Sequence, residues 1–261
     1  MKFYMLVLAL DTTTRRGSAA LLRDGALLDS EIGDAARTYG ERLPGDLIRL
    51  LERQRLRIQD IELFAVAAGP GSLTGMRIGI ATMQGFAMAN GRRMVGVSTL
   101  DAVARSVEIG ARGEGRGVNI TRTRVGLPLT PCPLPLFLAA WLDAQRGEVY
   151  SALYRDGTLA DGPAAEKPAV ALSRWSSLVG SNEVVFVGDG ALTYRSAIAS
   201  AFPDASIATE VPALAPAVGE LATEAAARNE SVEPGAVRPI YVRRPDVELA
   251  RDRRAAEPSR P

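Results

Sequence analysis

Between Met5 and Val107 the apolar residues switch back and forth between strand-like runs and helical spacing, and that alternation narrows the fold more than anything else in the chain. Met5–Leu10 (MLVLAL) is continuously apolar and closed by Asp11, the pattern of a strand buried on both faces. Ser18–Leu22 follows, then the turn Arg23-Asp24-Gly25 and the run Ala26–Ile32, so the chain opens with two antiparallel hairpin connections. From Glu41 the spacing turns helical. Leu43, Leu47, Leu50 and Leu51 fall on one face, Arg49, Glu52 and Arg53 on the other, with Pro44 near the helix start. Ile61–Ala68 is a further buried strand, Thr74–Ala89 a helix, Met94–Val97 a strand, and Ser98-Thr99 cap a short helix to Val107. The order β-β-β-α-β-α-β-α predicts an α/β protein.

The next segment, Glu108 to Pro135, is Gly/Arg-rich and then Pro-rich, and a loop of that length marks a boundary or an excursion. Leu136–Asp143 and Glu148–Tyr154 read as strands around the turn Ala144-Gln145-Arg146-Gly147. Val184–Val187 is another, ending in Gly188-Asp189-Gly190 and a helix, and Pro216–Arg228 is helical. Residues 243–261 are charged and lack a periodic apolar face, which predicts a disordered tail. The expected division is 1–107, a linking loop 108–135, a smaller unit 136–242 and the tail 243–261. No internal repeat is visible.

The chain contains no histidine. That excludes Ser-His-Asp and Cys-His nucleophile systems and every metal site built on imidazole. Cys132 is the sole cysteine, so an intramolecular disulfide cannot form, which fits a reducing cytoplasm. The apolar run near the N-terminus is short and leads into Asp11 and Arg15-Arg16 without a cleavage site, so a buried strand is expected rather than a signal peptide. No apolar run reaches the length of a membrane span. The net charge of +1 supplies no overall attraction to nucleic acid, so RNA contact would need a local patch or a partner.

Several segments could carry chemistry. Leu10-Asp11-Thr12-Thr13-Thr14 has the layout of the first phosphate loop of actin-like ATPases, an acid at a strand end followed by hydroxyls. The same residues could instead satisfy a strand end and a tight turn, and Thr12 stands where a glycine is usual. Gly69-Pro70-Gly71-Ser72 before a helix offers backbone amides to an anion, or is a plain strand-to-helix turn. It is neither a Walker A loop nor a nucleophile elbow. In the helix that follows, Gly75 and Gly79 are spaced i, i+4, as are Ala81, Gly85 and Ala89, which predicts close approach of another helix, within the subunit or from a partner. Gly188 and Asp189 resemble a later phosphate or adenosine loop. Asp143 and Glu148 flank one turn and read as a carboxylate pair or as solvated turn residues, and Arg112, Arg116, Arg122 and Arg124 as a basic loop, either solvated or touching RNA.

Taken in order, LALDTTT, GSAALLRDG, AAGPGSLTGMRIGIATMQGFA, VGVSTLDAVA, LDAQRGEVYSALY, VVFVGDGA and PIYVRR resemble the TsaB (YeaZ) family over most of residues 6 to 245. The resemblance implies an actin-like (ASKHA, RNase H-like) fold with two subdomains of mixed sheet flanked by helices. It implies a cytoplasmic subunit without its own catalytic site in the assembly that makes threonylcarbamoyladenosine in tRNA. The implied partners are TsaD as heterodimer, TsaE, tRNA indirectly through the complex, and a second copy of the chain when alone. It implies no metal and no cofactor of its own, with ATP or ADP placed at the complex interface. The expected partner interface comprises Leu43, Leu47, Leu50, Leu51, Gly75, Gly79, Met83 and Gly85; the weaker phosphate-binding set comprises Asp11, Thr12, Thr13, Gly69, Gly71, Ser72, Gly188 and Asp189. Two departures stand out: Tyr39-Gly40-Glu41 replaces an expected histidine, and the stretch 108–135 is long. A stand-alone ATP-dependent phosphotransferase is the competing expectation, and a protease reading finds no nucleophile–base pair.

Overall fold

In the computed structural model, residues 4–111, 120 and 121, and 137–243 are described. Leu6–Asp11 (β1), Ser18–Arg23 (β2) and Ala26–Ile32 (β3) form an antiparallel meander. The helix Tyr39–Arg53 (α1) leads to Leu63–Gly69 (β4), the helix Leu73–Ala89 (α2), Arg93–Ser98 (β5) and the helix Thr99–Ala111 (α3). Strands β4 and β5 extend the sheet in parallel beyond β1, giving the order β3-β2-β1-β4-β5. The first hundred residues thus follow the expected element order.

The second sheet contains Ile120–Thr121 (β6), Phe137–Asp143 (β7), Val149–Arg155 (β8), Thr158–Glu166 (β9), Val184–Val187 (β10) and Ser206–Ala208 (β11). Its helices are Pro168–Val179 (α4), Asp189–Thr193 (α5) and Arg195–Ala201 (α6), and Ala215–Ala227 (α7) closes the chain's helical part. Its order is β6-β11-β10-β7-β8-β9. Read as β9-β8-β7-β10-β11, with the first three antiparallel and the rest parallel, it repeats the first sheet strand for strand. The repeat lies in topology alone, which needs apolar strands in the right order but not the same residues.

Three corrections to the expected elements have local causes. Helix α1 begins at Tyr39 rather than Glu41, because the Glu41 carboxylate accepts from both the amide and the hydroxyl of Thr38, at 2.8 Å each, and closes the first turn. Helix α3 runs to Ala111, so Glu108 belongs to it and pairs with Arg105 at 2.9 Å instead of opening the loop. Strands β9 and β11 and helix α4 were not expected. β9 carries Gly162-Pro163 within it and is an edge strand, where proline is tolerated. The remainder of the 108–135 loop apart from residues 120 and 121, with its arginines and Cys132, and the tail beyond Arg243 lie outside the described residues.

Alternation along β1 sends Leu8 and Leu10 to one face and Val7 and Ala9 to the other, and both faces are covered. Helices α1 and α2 cover the first, packing Leu43, Leu47, Leu50, Met76 and Met83 on Leu8, Phe64 and Val66. Helices α3 and α7 lie between the two sheets, with Val7, Leu22 and Val97 on one side and Leu138, Ala152 and Val185 on the other in a single apolar core. Tyr154 on β8 donates to Asp101 on α3 at 2.5 Å, and the Ala215 amide of α7 donates to the Ser18 hydroxyl at 3.0 Å, tying the layers together. The outer face of the second sheet holds Trp141, Trp175, Phe186 and Phe202, with Trp141 and Phe186 edge-to-face at 5.3 Å. Among the described residues no helix is long and apolar enough to cross a membrane.

Candidate partner face and strand-end loops

The equivalent strands β1 and β7 of the two sheets each end in an acid, Asp11 and Asp143. Asp11 is 1% exposed. Its carboxylate accepts from the Thr13 amide at 2.8 Å, the Thr13 hydroxyl at 2.6 Å and the Thr14 hydroxyl at 2.6 Å. Burial drives its pKa above the ordinary carboxylate value, and the threonine hydrogen bonds only partly offset that push. The Thr12 hydroxyl donates to the Gly75 carbonyl at 2.8 Å, and the Ser72 amide donates to the Thr13 carbonyl at 2.9 Å. Tyr39 lies over the loop, its hydroxyl donating to the Thr14 carbonyl, and the Arg42 guanidinium sits 4.6 Å above its ring. Arg42 in turn pairs with Asp46 at 2.5 Å inside the protein. On the α1 side of the loop, between Asp11, Tyr39, Arg42 and Asp46, a space of about 10 Å³ remains, room for one water.

Three of the glycines expected at a phosphate or a second helix, Gly71, Gly75 and Gly79, pack against this loop. A Cβ on Gly75 would strike the Thr12 carbonyl oxygen, one on Gly79 the Thr12 hydroxyl, and one on Gly71 would sit 2.7 Å from the Thr13 side chain. Helix α2 therefore comes close to the β1 end within the same subunit, with Ser72 capping it by accepting from the Gly75 amide at 3.2 Å. A Cβ on Gly69, at φ +115°, would come within 2.7 Å of the Ile240 carbonyl oxygen and 2.6 Å of the Met76 sulfur. At the second sheet Gly188, at φ +112°, abuts the Trp141 carbonyl, and Asp189 accepts from the Asp143 amide at 2.8 Å. Burial raises Asp189 as well. The residues expected to meet phosphate are thus gathered at the strand ends, but each is engaged with its own chain.

The expected interface set divides differently from its sequence grouping. Leu43, Leu47, Leu50, Leu51 and Met83 are core residues, Gly75 and Gly79 face Thr12, and Gly85 alone is exposed, with no heavy atom within 4 Å of a Cβ placed on it. The outward face of α2 is formed by Leu73, Arg77, Ala81, Gly85, Met88 and Ala89, with Leu73 48% and Met88 60% exposed, and Ile48 of neighbouring α1 is 54% exposed. Arg77 is the only charged residue of this helix. Helices on a protein surface ordinarily carry a charged outer face. Along one flank runs the segment after α7, held by the Gln84 side chain, which donates to the Pro234 and Val237 carbonyls at 2.8 and 3.2 Å. Sequence reasoning passed over Arg42 and Gln84, and gave Tyr39 and Thr99 no place in the loop, where the Thr99 hydroxyl donates to that of Thr13 at 3.3 Å. The only available signal was a charged pair, Arg42 and Asp46, interleaved with the buried leucines of α1.

A doubled sheet of this topology, its helices shared between two layers and an acid ending each of the equivalent strands β1 and β7, is an actin-like (ASKHA, RNase H-like) protein. The chain belongs to the TsaB family. It is 34% identical over 191 residues to the tRNA threonylcarbamoyladenosine biosynthesis protein TsaB of Escherichia coli, covering 71% of this chain and 72% of that one. An uncharacterized protein of Mycobacterium tuberculosis is 29% identical over 243 residues, 92% of this chain and 93% of its own. Among solved structures, YeaZ from Pseudomonas aeruginosa superposes with a TM-score of 0.68 at 27% identity, covering 91% of this chain and 99% of that one. Residues 33–116, which include α1 and α2, match the family model of TsaD, tRNA N6-adenosine threonylcarbamoyltransferase.

Proposed function

We propose that this chain is a subunit of the machinery that makes N6-threonylcarbamoyladenosine in tRNA, that it has no catalytic site of its own, and that it binds and stabilises the transferase TsaD and helps recruit TsaE. The observation that carries the reading is the outward face of α2, small, apolar and bearing one charge. Two features support it further. The stretch carrying α1 and α2 lies within the part similar to the transferase family, so a pseudo-symmetric pairing of like helices is the natural geometry. The Asp11 carboxylate is taken up by the hydroxyls of its own loop, which supports a subunit that leaves the chemistry to its partner. Contact with tRNA runs through the complex, any ATP or ADP belongs at the subunit junction, and the chain pairs with a second copy of itself when alone.

Light scattering coupled to size-exclusion chromatography, on the chain mixed with TsaD of the same organism, tests this directly. A one-to-one complex is the expected result. Absence of a complex with TsaE and nucleotide present contradicts it. Magnesium-dependent ATP turnover by the pure chain, abolished by Asp11→Ala, would instead establish a phosphotransferase.

A further inference from the structure

Two motifs quoted for the family resemblance, PIYVRR near the end of the chain and LDAQRGEVY in its second half, find no use in the partner face. They meet in space. After α7 the chain returns to the first sheet, where Val232 exchanges two backbone hydrogen bonds with Met94 of edge strand β5, at 2.8 and 2.9 Å. Gln84 holds it against α2 and Val237 inserts into the first core. The Ile240 amide then donates to the Ala68 carbonyl at 2.7 Å, with the Ile240 carbonyl resting on Gly69, where only the absence of a side chain permits it. Arg77 donates to the Tyr241 hydroxyl at 3.5 Å. Three residues beyond Ile240 the segment has reached the other sheet. Arg243 pairs with Glu148 beside β8, and its guanidinium lies 5.8 Å over the ring of Tyr150.

We propose that residues 231–243 form a latch running from the first sheet to the second across the Gly69–Ser72 turn, and that Arg243 on Glu148 and Tyr150 is its releasable anchor. The anchors differ in kind. At Val232 and Val237 the segment is held by a pair of backbone bonds and a buried side chain, which salt does not weaken, and the exposed Arg93–Glu233 pair at 2.9 Å adds little to them; beyond Val237 it is held by the single Ile240 amide bond and then by Arg243. At Arg243 it is held by one ion pair and one ring face, with the Arg243 and Glu148 side chains 23% and 34% exposed. Such a contact is screened as the Debye length falls from ~10 Å at 0.1 M salt to ~3 Å at 1 M. Release frees Ile240 and Tyr241 from the Gly69–Ser72 turn and from the start of α2, while Val232 stays paired.

Amide hydrogen exchange on the full chain tests the latch. In Arg243→Glu the Ile240 amide exchanges about fivefold faster, whereas the Val232 amide keeps its rate. Glu148→Arg has the same effect, and the double charge reversal Arg243→Glu/Glu148→Arg restores slow exchange at Ile240. Raising salt to about 1 M reproduces the single variants in the natural chain, and this arm decides the matter if a variant does not fold. Unchanged Ile240 exchange in both single variants and at high salt overturns the proposal. So does equal acceleration at Val232, because the whole segment would then loosen together.

Discussion

Gly79 and Gly85 occupy the same helix and meet opposite surroundings, the first pressed on the Thr12 hydroxyl and the second open. Alanine at the two positions should therefore act with opposite sign. Gly79→Ala drives a methyl into Thr12 and is expected to cost about 1–3 kcal/mol. Gly85→Ala gains helix propensity and is expected to add about 0.5–1 kcal/mol. Thermal melts of both variants read this, and a stabilised Gly79→Ala would remove the internal role given to that glycine. Asp11 supplies a second test. Because burial holds its folded pKa above the unfolded value, the stability linked to its proton is complete below the ordinary carboxylate range and is lost as pH rises through the folded value. Asp11→Asn cannot titrate, so the natural chain should lose stability relative to the variant between acid and neutral pH. Denaturant titrations at several pH values read the difference, and a gap that widens in the natural chain's favour at neutral pH would contradict the assignment. The acid and its threonines could be read from the chain as a strand-end group. Their partners could not, since Gly75, Gly79 and Thr99, whose hydroxyl donates to that of Thr13 at 3.3 Å, lie more than sixty residues downstream and only folding shows which side of a glycine is filled.

Helix α1 and strand β3 are joined by a ladder of charges, Arg53 to Asp29 at 2.8 Å and to Glu31 at 2.7 Å, and Arg49 to Glu31 at 3.0 Å. The ladder also places charges along an open sheet edge, where they discourage pairing with another strand. Arg53 holds the Asp29 carboxyl below its ordinary pKa, so the stability it brings is present above the ordinary carboxylate range and lost as pH falls through the folded value. The pairs are partly exposed, and Arg53→Ala is expected to cost about 1 kcal/mol or less at neutral pH. That cost should shrink towards zero in acid, as measured by denaturant titration; a cost independent of pH would mean that Arg53 acts by packing alone. Element type was legible wherever apolar spacing was long and regular, as in β1, α1, β4 and α2. It was hidden in β9, where Gly162 and Pro163 interrupt the strand, and in β11, which is three residues long. The apolar repeat of α1 was also visible, but not which way it points. Leu43, Leu47 and Leu50 look alike whether they meet their own sheet or another subunit, and here they meet their own.

The apolar core around α3 and α7 draws on both sheets, so the two halves have little scope to unfold separately. Both tryptophans, Trp141 and Trp175, sit on the outer face of the second sheet. Leu50→Ala, in the first half, should cost about 2–5 kcal/mol and should lower the midpoint seen by tryptophan fluorescence as much as that seen by far-ultraviolet circular dichroism. A fluorescence transition left unmoved would show that the halves unfold independently. The doubled topology itself was not legible, because the two sheets share strand order and direction without sharing a residue pattern. The small-residue spacing of α2 was legible, and folding divides it into an inner stripe that receives Thr12 and an outer one centred on Gly85. The most direct measurement is the affinity of TsaD for the natural chain and for Gly85→Leu, with a thermal melt confirming that the variant is folded. If the outer face of α2 is the docking surface, the variant melts like the natural chain and binds at least about tenfold more weakly, a loss of about 1.4 kcal/mol. Undiminished affinity in a folded Gly85→Leu would contradict it.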